Sequence, residues 1–195
     1  MTKKEIIWRE ILFQAIENKK IEFTQKELAQ KYGFSLSTVF NALKIPRQAN
    51  IIEGKRGFRL QDIEKFLYLW ATFRKIKKDI IYQTSVKGNV FRIEGEMPSE
   101  VIFGAYSAFL KKYKEVPADY DKTYVYIEEN KLNKIKNRFP LQKKGYQNLI
   151  VLKADPWLKN FGKITPDCQI FADLWNLPEW YAGDYLKALK HKILG

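Results

Sequence analysis

The sequence is poor in the side chains that most often carry out chemistry. It has one cysteine, Cys168, so no disulfide can form within the chain and no thiolate zinc site is available. Its one histidine, His191, lies in a lysine-rich stretch near the C-terminus, where we expect no buried catalytic histidine. No phosphate-binding glycine loop, histidine-containing triad or metal-ligand cluster is present. These absences favour a protein that is not an enzyme, and we expect neither a metal nor another cofactor.

Long apolar runs are missing as well. The longest run, 66–73, is interrupted by Thr72 and is far too short to span a bilayer. The N-terminus leads into an amphipathic segment and does not have the pattern of a signal sequence. The chain is nevertheless 46% apolar and 15% aromatic, so its 195 residues can build one or two globular domains. We therefore expect a globular, cytoplasmic protein that does not bind membranes.

Acidic residues are outnumbered by basic ones, and the formal net charge is +13. Residues 1–78 hold 17 Lys and Arg against 8 Asp and Glu, whereas residues 79–195 hold 18 against 14. This distribution predicts that the N-terminal part binds a polyanion. Charge alone does not separate DNA from RNA or from a membrane surface.

Residues 27–44 have the pattern of a helix-turn-helix. Gly33 follows Ala29 by four residues, where the turn between two helices needs a left-handed backbone. Ser35 can cap the second helix. In that helix the apolar residues recur at helical spacing and turn one face to a core, as Val39, Ala42 and Leu43. The alternative is an ordinary helical hairpin with a polar outer face.

The second helix, over 36–45, is expected to lie in a DNA major groove. Its outer face carries short donors and acceptors and cations, which suit contacts to base edges. Pro46 is expected to end it, because proline lacks an N–H group. The candidate DNA-binding residues around this helix are Ser35, Ser37, Thr38, Asn41, Lys44 and Arg47.

A β-hairpin is predicted over 51–60, directly after this helix. Two short apolar stretches flank residues 54–57, which begin and end with glycine. After a helix-turn-helix such a hairpin forms a wing, and Lys55 and Arg56 at its tip are expected to contact phosphates or the minor groove. The alternative is a solvated basic turn.

The remaining segments predict the domain organisation. A helix over 3–18 completes a domain over 1–61, and Asp62 caps a linker helix over 62–78 that packs on a second copy or on the C-terminal half. Residues 79–195 are expected to form a mixed α/β domain. Its predicted strands are 80–82, 90–93, 123–127 and 148–152, and its predicted helices are 99–113, 130–138, 167–177 and 179–193. Trp175, Trp180 and Tyr181 are expected in its core.

An enzymatic alternative depends on three aspartates. Asp119 and Asp121 precede the strand at 123–127, and Asp155 follows a later strand. Nucleotidyltransferases hold Mg²⁺ with three such carboxylates and place Gly-Ser at an earlier helix start. Here Ala105 follows Gly104 where serine is wanted, and the acidic pair lies before its strand. Acidic loop residues are the favoured interpretation.

Two segments resemble known families. Residues 57–74, GFRLQDIEKFLYLWATFR, resemble the wing-to-linker segment of archaeal winged-helix regulators. Residues 170–178 (IFADLWNLP) and 182–186 (AGDYL) resemble the ending of AbiE-type antitoxins. The resemblance implies a DNA-binding N-terminal domain that represses its own operon, and a C-terminal domain of antitoxin type. It also implies a nucleotidyltransferase toxin as the partner.

The sequence thus predicts an α+β protein with a winged helix-turn-helix, a linker helix and a C-terminal mixed α/β domain. The predicted function is sequence-specific binding of double-stranded DNA by a transcriptional regulator, most simply a repressor. The alternatives are a protein-interaction module that neutralises a toxin-like partner and the magnesium-dependent nucleotidyltransferase. Whether the chain forms a homodimer is left open.

Overall fold

The computed structural model describes all 195 residues and has a mixed α+β fold with nine α-helices and two small sheets. The chain divides into two compact units, Met1–Arg74 and Lys75–Ile193. None of its helices combines the length and the apolar character needed to cross a bilayer.

The first unit consists of four helices and one three-stranded sheet. Its elements are α1 (Lys3–Glu17), β1 (Glu22–Thr24), α2 (Gln25–Tyr32), α3 (Leu36–Gln48), β2 (Ile52–Glu53), β3 (Gly57–Leu60) and α4 (Ile63–Phe73). The sheet is antiparallel in the order β1-β3-β2, and Phe23 lies opposite Phe58. Both phenylalanines are buried, and their rings stack with centroids 5.6 Å apart. β1 therefore holds the second strand of the hairpin along its length.

Local caps define the helix ends as the sequence predicts. The Thr24 hydroxyl accepts a hydrogen bond from the Glu27 backbone N–H, and Asp62 accepts one from the Lys65 N–H at 2.8 Å. Gly33 has φ +65°, the left-handed conformation predicted for the turn between α2 and α3. Ser35 accepts from the Thr38 N–H at 3.2 Å and so begins α3.

Pro46 does not end α3, which contradicts the predicted bound of 36–45. The helix continues to Gln48, with Pro46 buried inside it. A proline at this position leaves the carbonyl four residues earlier, that of Ala42, without its usual helical donor. The indole Nε1 of Trp8 donates to this carbonyl at 2.8 Å. The fully buried Trp8 of α1 therefore replaces the missing hydrogen bond and lets the helix run past the proline.

The helix predicted over 62–78 is shorter than expected. It ends at Phe73, and Ile76–Asp79 form a separate 3-10 turn. Its Phe66 and Trp70 are fully buried, and the Phe66 ring meets Trp8 edge-on at 5.7 Å. These contacts make α4 part of the core of the first unit.

The second unit is built on a four-stranded sheet in the order β4-β7-β6-β5. Its elements are β4 (Ile80–Thr84), α5 (Val90–Gly95), β5 (Ile102–Phe103), α6 (Ala105–Tyr113), β6 (Thr123–Ile127), α7 (Leu132–Arg138), β7 (Leu149–Lys153), α8 (Asp167–Trp175) and α9 (Ala182–Leu194). The central strands β6 and β7 are parallel, and the outer two pair antiparallel. Val125 and Val151 of the central strands pack with Ile135 and Phe139 of the α7 region in one buried cluster.

Two predicted elements of this unit are wrong. Residues 90–93, predicted as a strand, form α5, because the Asn89 side chain accepts from the Arg92 N–H at 2.9 Å and caps a helix. The helix predicted to begin at Ser99 begins at Ala105, after the short strand β5. Gly104 lies between them, where a Cβ would come 2.8 Å from the Tyr126 ring.

The three C-terminal aromatics do not share one environment. Tyr181 is buried, as predicted. Trp175 and Trp180 are exposed, and Trp180 exposes 78% of its surface. The prediction that all three lie in the core is thus wrong for both tryptophans.

Candidate nucleic-acid interface

The outer face of α3 is polar and accessible. Ser35, Ser37, Asn41 and Lys44 are exposed and Thr38 is partly exposed, whereas Val39, Ala42 and Leu43 are buried. The helical spacing therefore separates the two faces as the sequence predicts.

The hydroxyl groups at the start of α3 bond to one another. The Ser35 Oγ lies 3.1 Å from the Ser37 Oγ and 2.9 Å from the Thr38 Oγ1. Because Ser35 also caps the helix, its oxygen is already engaged in the fold. The Asn41 side chain makes no hydrogen bond within the chain, so both ends of its amide are free to bind a ligand.

Arg47 lies between α3 and the hairpin. Its Nε donates to the Gly54 carbonyl at 3.1 Å, and its Nη2 donates to the Lys55 carbonyl at 3.4 Å. The side chain is only partly exposed. Arg47 thus ties the end of α3 to the hairpin turn, and its guanidinium is less available to a ligand than the sequence suggested.

The hairpin tip is held from a second side by Gln25, the first residue of α2. The Gln25 Nε2 donates to the Lys55 carbonyl at 2.7 Å, and its backbone N–H donates to the Arg56 carbonyl at 3.1 Å. Gly54, at φ +109°, makes the turn, and a Cβ there would come 2.4 Å from the Gly57 carbonyl oxygen. The backbone at the tip is fixed, while the side chains of Lys55 and Arg56 are exposed and unpaired.

A groove of about 730 Å³ separates α3 from the hairpin tip. No carboxylate lines it. Its lining consists of four cations, two glutamines and one phenylalanine, namely Lys44, Arg47, Lys55, Arg56, Gln25, Gln48 and Phe40. Four predicted site residues, at the end of α3 and at the hairpin tip, therefore border one cationic groove. The other four do not line it, namely Ser35, Ser37, Thr38 and Asn41.

Three lining residues are not among those predicted from the sequence, namely Phe40, Gln25 and Gln48. Phe40 follows the core residue Val39, so the apolar spacing did not separate it from the core. Leu36, four residues earlier, is also exposed, and this apolar pair at helical spacing was the available signal. Gln25 reaches the tip only because β1 pairs with β3, which a local pattern does not reveal.

The three aspartates of the enzymatic alternative do not form a metal site. Asp121 accepts hydrogen bonds from the hydroxyls of Tyr181 at 2.6 Å and Tyr146 at 2.9 Å, and Asp155 accepts from the Trp157 N–H at 3.2 Å. No group of three or more His, Cys, Asp or Glu residues in the chain could hold a metal ion.

Tyrosines and carboxylates instead form a network in the second unit. Tyr106 and Tyr124 both donate to Glu179 at 3.1 Å, and Lys122 donates to it at 2.6 Å. The pKa of Tyr106 and of Tyr124 is raised mainly by burial and, to a smaller extent, by the charge of Glu179. Burial, followed by the hydrogen bond to Asp121, raises the pKa of Tyr146 to about 12. These tyrosines stay protonated at neutral pH, and they act as donors that fix the carboxylates in place.

Comparison with protein-family models and with curated protein sequences finds no match.

Proposed function

We propose that the first unit is a winged helix-turn-helix that binds double-stranded DNA at a specific sequence, and that the protein regulates transcription. One observation carries the proposal. The C-terminal part of α3 and the basic hairpin tip border the same groove, which holds four cations and no carboxylate. The polar residues at the start and middle of α3 lie outside the groove lining, on the same exposed side of the helix. A duplex offers phosphates to the cations and base edges to the polar face at once.

In the proposed complex α3 lies in the major groove. An α-helix about 10–12 Å across fits a groove of roughly 12 Å. Asn41 is the best candidate for a base contact, because its amide can bond an adenine at two positions. Lys44 lies one turn further along the same face. Ser37 and Thr38, at the start of the helix, are candidates for further contacts to bases or phosphates.

The hairpin is the proposed wing. Lys55 and Arg56 bind phosphates or enter the minor groove, and their contacts position the protein without reading sequence directly. The role of Arg47 is to hold the wing against α3 through the carbonyls of Gly54 and Lys55. Repression is the simplest consequence of such binding near a promoter. The resemblance to AbiE-type antitoxins adds autoregulation to this proposal.

Selection of binding sites from a random duplex library with the full chain tests the proposal. We expect a defined motif that is bound more tightly than scrambled duplex at both low and moderate salt. The same selection with Asn41→Ala is expected to lose preference at one position. Weak binding that is equal for all duplexes and disappears with salt contradicts the proposal, because that behaviour needs only a basic surface.

Protein binding by the second unit is a second candidate function. It is favoured by exposed aromatics, of which Trp180 is the most accessible, with Phe91 and Tyr146 each more than half exposed. A second copy of the chain is the simplest partner, and sedimentation across a range of concentrations tests it. A dimer mass that returns to the monomer mass in Trp180→Ser supports this function, and a constant monomer mass contradicts self-association.

A further inference from the structure

We propose that Phe40 recognises thymine through its 5-methyl group, which makes it a residue that determines sequence specificity. This inference rests on the proposed DNA-binding function and extends it to one base. Phe40 exposes 46% of its surface on α3, one residue before Asn41. An apolar ring on the face proposed to enter the major groove needs an apolar partner there.

Two cations lie close to the Phe40 ring. The Lys44 Nζ lies 5.5 Å and the Arg47 Cζ 5.8 Å from the ring centroid, both within the range of a cation–π interaction. Arg47 is itself fixed by two backbone carbonyls of the hairpin turn. The fixed Arg47 guanidinium thus favours one position of the ring before a ligand binds.

The charge around the ring identifies the class of ligand. Phe40 borders the groove that carries Lys44, Arg47, Lys55 and Arg56, with no carboxylate on its walls. An apolar protein partner would leave the charges of Lys44, Lys55 and Arg56 unpaired, whereas a duplex supplies phosphates for them. The groove therefore fits DNA better than it fits an apolar helix.

Thymine is the base that this ring can distinguish. In the major groove the 5-methyl group is the only apolar group that the four common bases present, and cytosine lacks it. Contact of a phenylalanine with this methyl separates thymine from cytosine without a hydrogen bond. Asn41 faces a direction about 100° further around the helix, so the two residues read different bases.

Replacement of thymine by deoxyuridine removes only the methyl group and tests the inference. Each invariant thymine of the selected motif is replaced in turn, and affinity is measured by fluorescence anisotropy. We expect one position at which deoxyuridine weakens binding about fourfold, the factor for one buried methyl-sized group. In Phe40→Ala, thymine and deoxyuridine are expected to bind equally at that position. Phe40→Leu, which keeps an apolar side chain, is expected to retain part of the difference.

Leu141→Ala is the matched control, because it removes an exposed apolar side chain from the second unit. It is expected to leave the thymine preference unchanged. Circular dichroism verifies that both alanine variants remain helical.

The outcomes separate the two proposals. If no motif is selected, the proposed DNA-binding function and the role of Phe40 both fail. If a motif is selected but has no invariant thymine, or none at which deoxyuridine matters, only the role of Phe40 is overturned. A deoxyuridine effect that persists in Phe40→Ala assigns the methyl contact to another residue and also overturns the inference.

Discussion

Removing both charges at the hairpin tip is expected to change the salt dependence of DNA binding in a calculable way. Lys55 and Arg56 are exposed, and neither side chain has an ion-pair partner within the chain. Each phosphate contact contributes a slope of about −0.9 to the logarithm of the binding constant against the logarithm of the salt concentration. The double variant Lys55→Ala/Arg56→Ala is therefore expected to reduce the magnitude of the slope by about 1.8.

This change in slope predicts a measurable factor. Between about 50 and 200 mM salt, the loss of affinity in the double variant should be roughly twelvefold smaller than in the wild type. The assay is anisotropy titration of a labelled duplex at several salt concentrations, on the selected motif and on scrambled duplex. Because phosphate contacts do not read sequence, both duplexes should show the same change.

The control replaces two adjacent lysines elsewhere, in Lys143→Ala/Lys144→Ala. Both residues are exposed in the second unit and have no ion-pair partner within the chain, so the slope is expected to stay unchanged. Three results would refute the reasoning. They are an unaltered slope in the tip variant, an equal change in the control, or an effect confined to the selected motif.

Three further predictions concern base recognition and stability. Asn41→Ala is expected to cost about 1–3 kcal/mol of binding at one base pair, measured by competition with single-substituted duplexes. Glu179→Ala breaks a buried ion pair, so it should lower the free energy of unfolding, measured in urea, by about 3 kcal/mol. Glu129→Ala breaks an exposed ion pair and should lower the same free energy by less than about 1 kcal/mol. The pKa of Tyr106 and of Tyr120 is raised mainly by burial and then by the neighbouring carboxylates. The stability that these tyrosines contribute is therefore fully present below their unfolded-state pKa of about 10, and it is lost as the pH rises above that pKa. An equal loss of stability above about pH 10 in the variant Tyr106→Phe/Tyr120→Phe would contradict this last prediction.

The sequence predicts those features that depend on neighbouring residues. Thr24, Ser35 and Asp62 cap helices, and Gly33 makes the predicted turn, because each acts on backbone groups within a few positions. The polar face of α3 follows from helical spacing alone. These features define most of the first unit.

Features that depend on distant residues could not be predicted in this way. The helix α3 continues past Pro46 because Trp8, 38 positions earlier in the chain, donates a hydrogen bond to the Ala42 carbonyl. The segment 90–93 is short and apolar apart from Arg92, and periodicity does not separate a strand from a helix in so short a run. In the candidate site, Phe40 was missed because its place at the edge of the core face is set by what packs around α3.

The hydrogen bond between the Trp8 indole and the Ala42 carbonyl makes residues 8 and 46 interdependent. Replacing Trp8 by phenylalanine alone removes the donor that a proline at 46 made necessary. Replacing Pro46 by alanine alone restores a backbone N–H that can serve the same carbonyl. The part of the stability loss in Trp8→Phe that comes from the missing hydrogen bond should thus be recovered in the double variant Trp8→Phe/Pro46→Ala. The effects of the two substitutions on the free energy of unfolding should therefore not be additive. A homologue with a residue other than proline at position 46 has a backbone N–H there and does not need an indole donor at position 8. We therefore expect the two positions to change together among homologues.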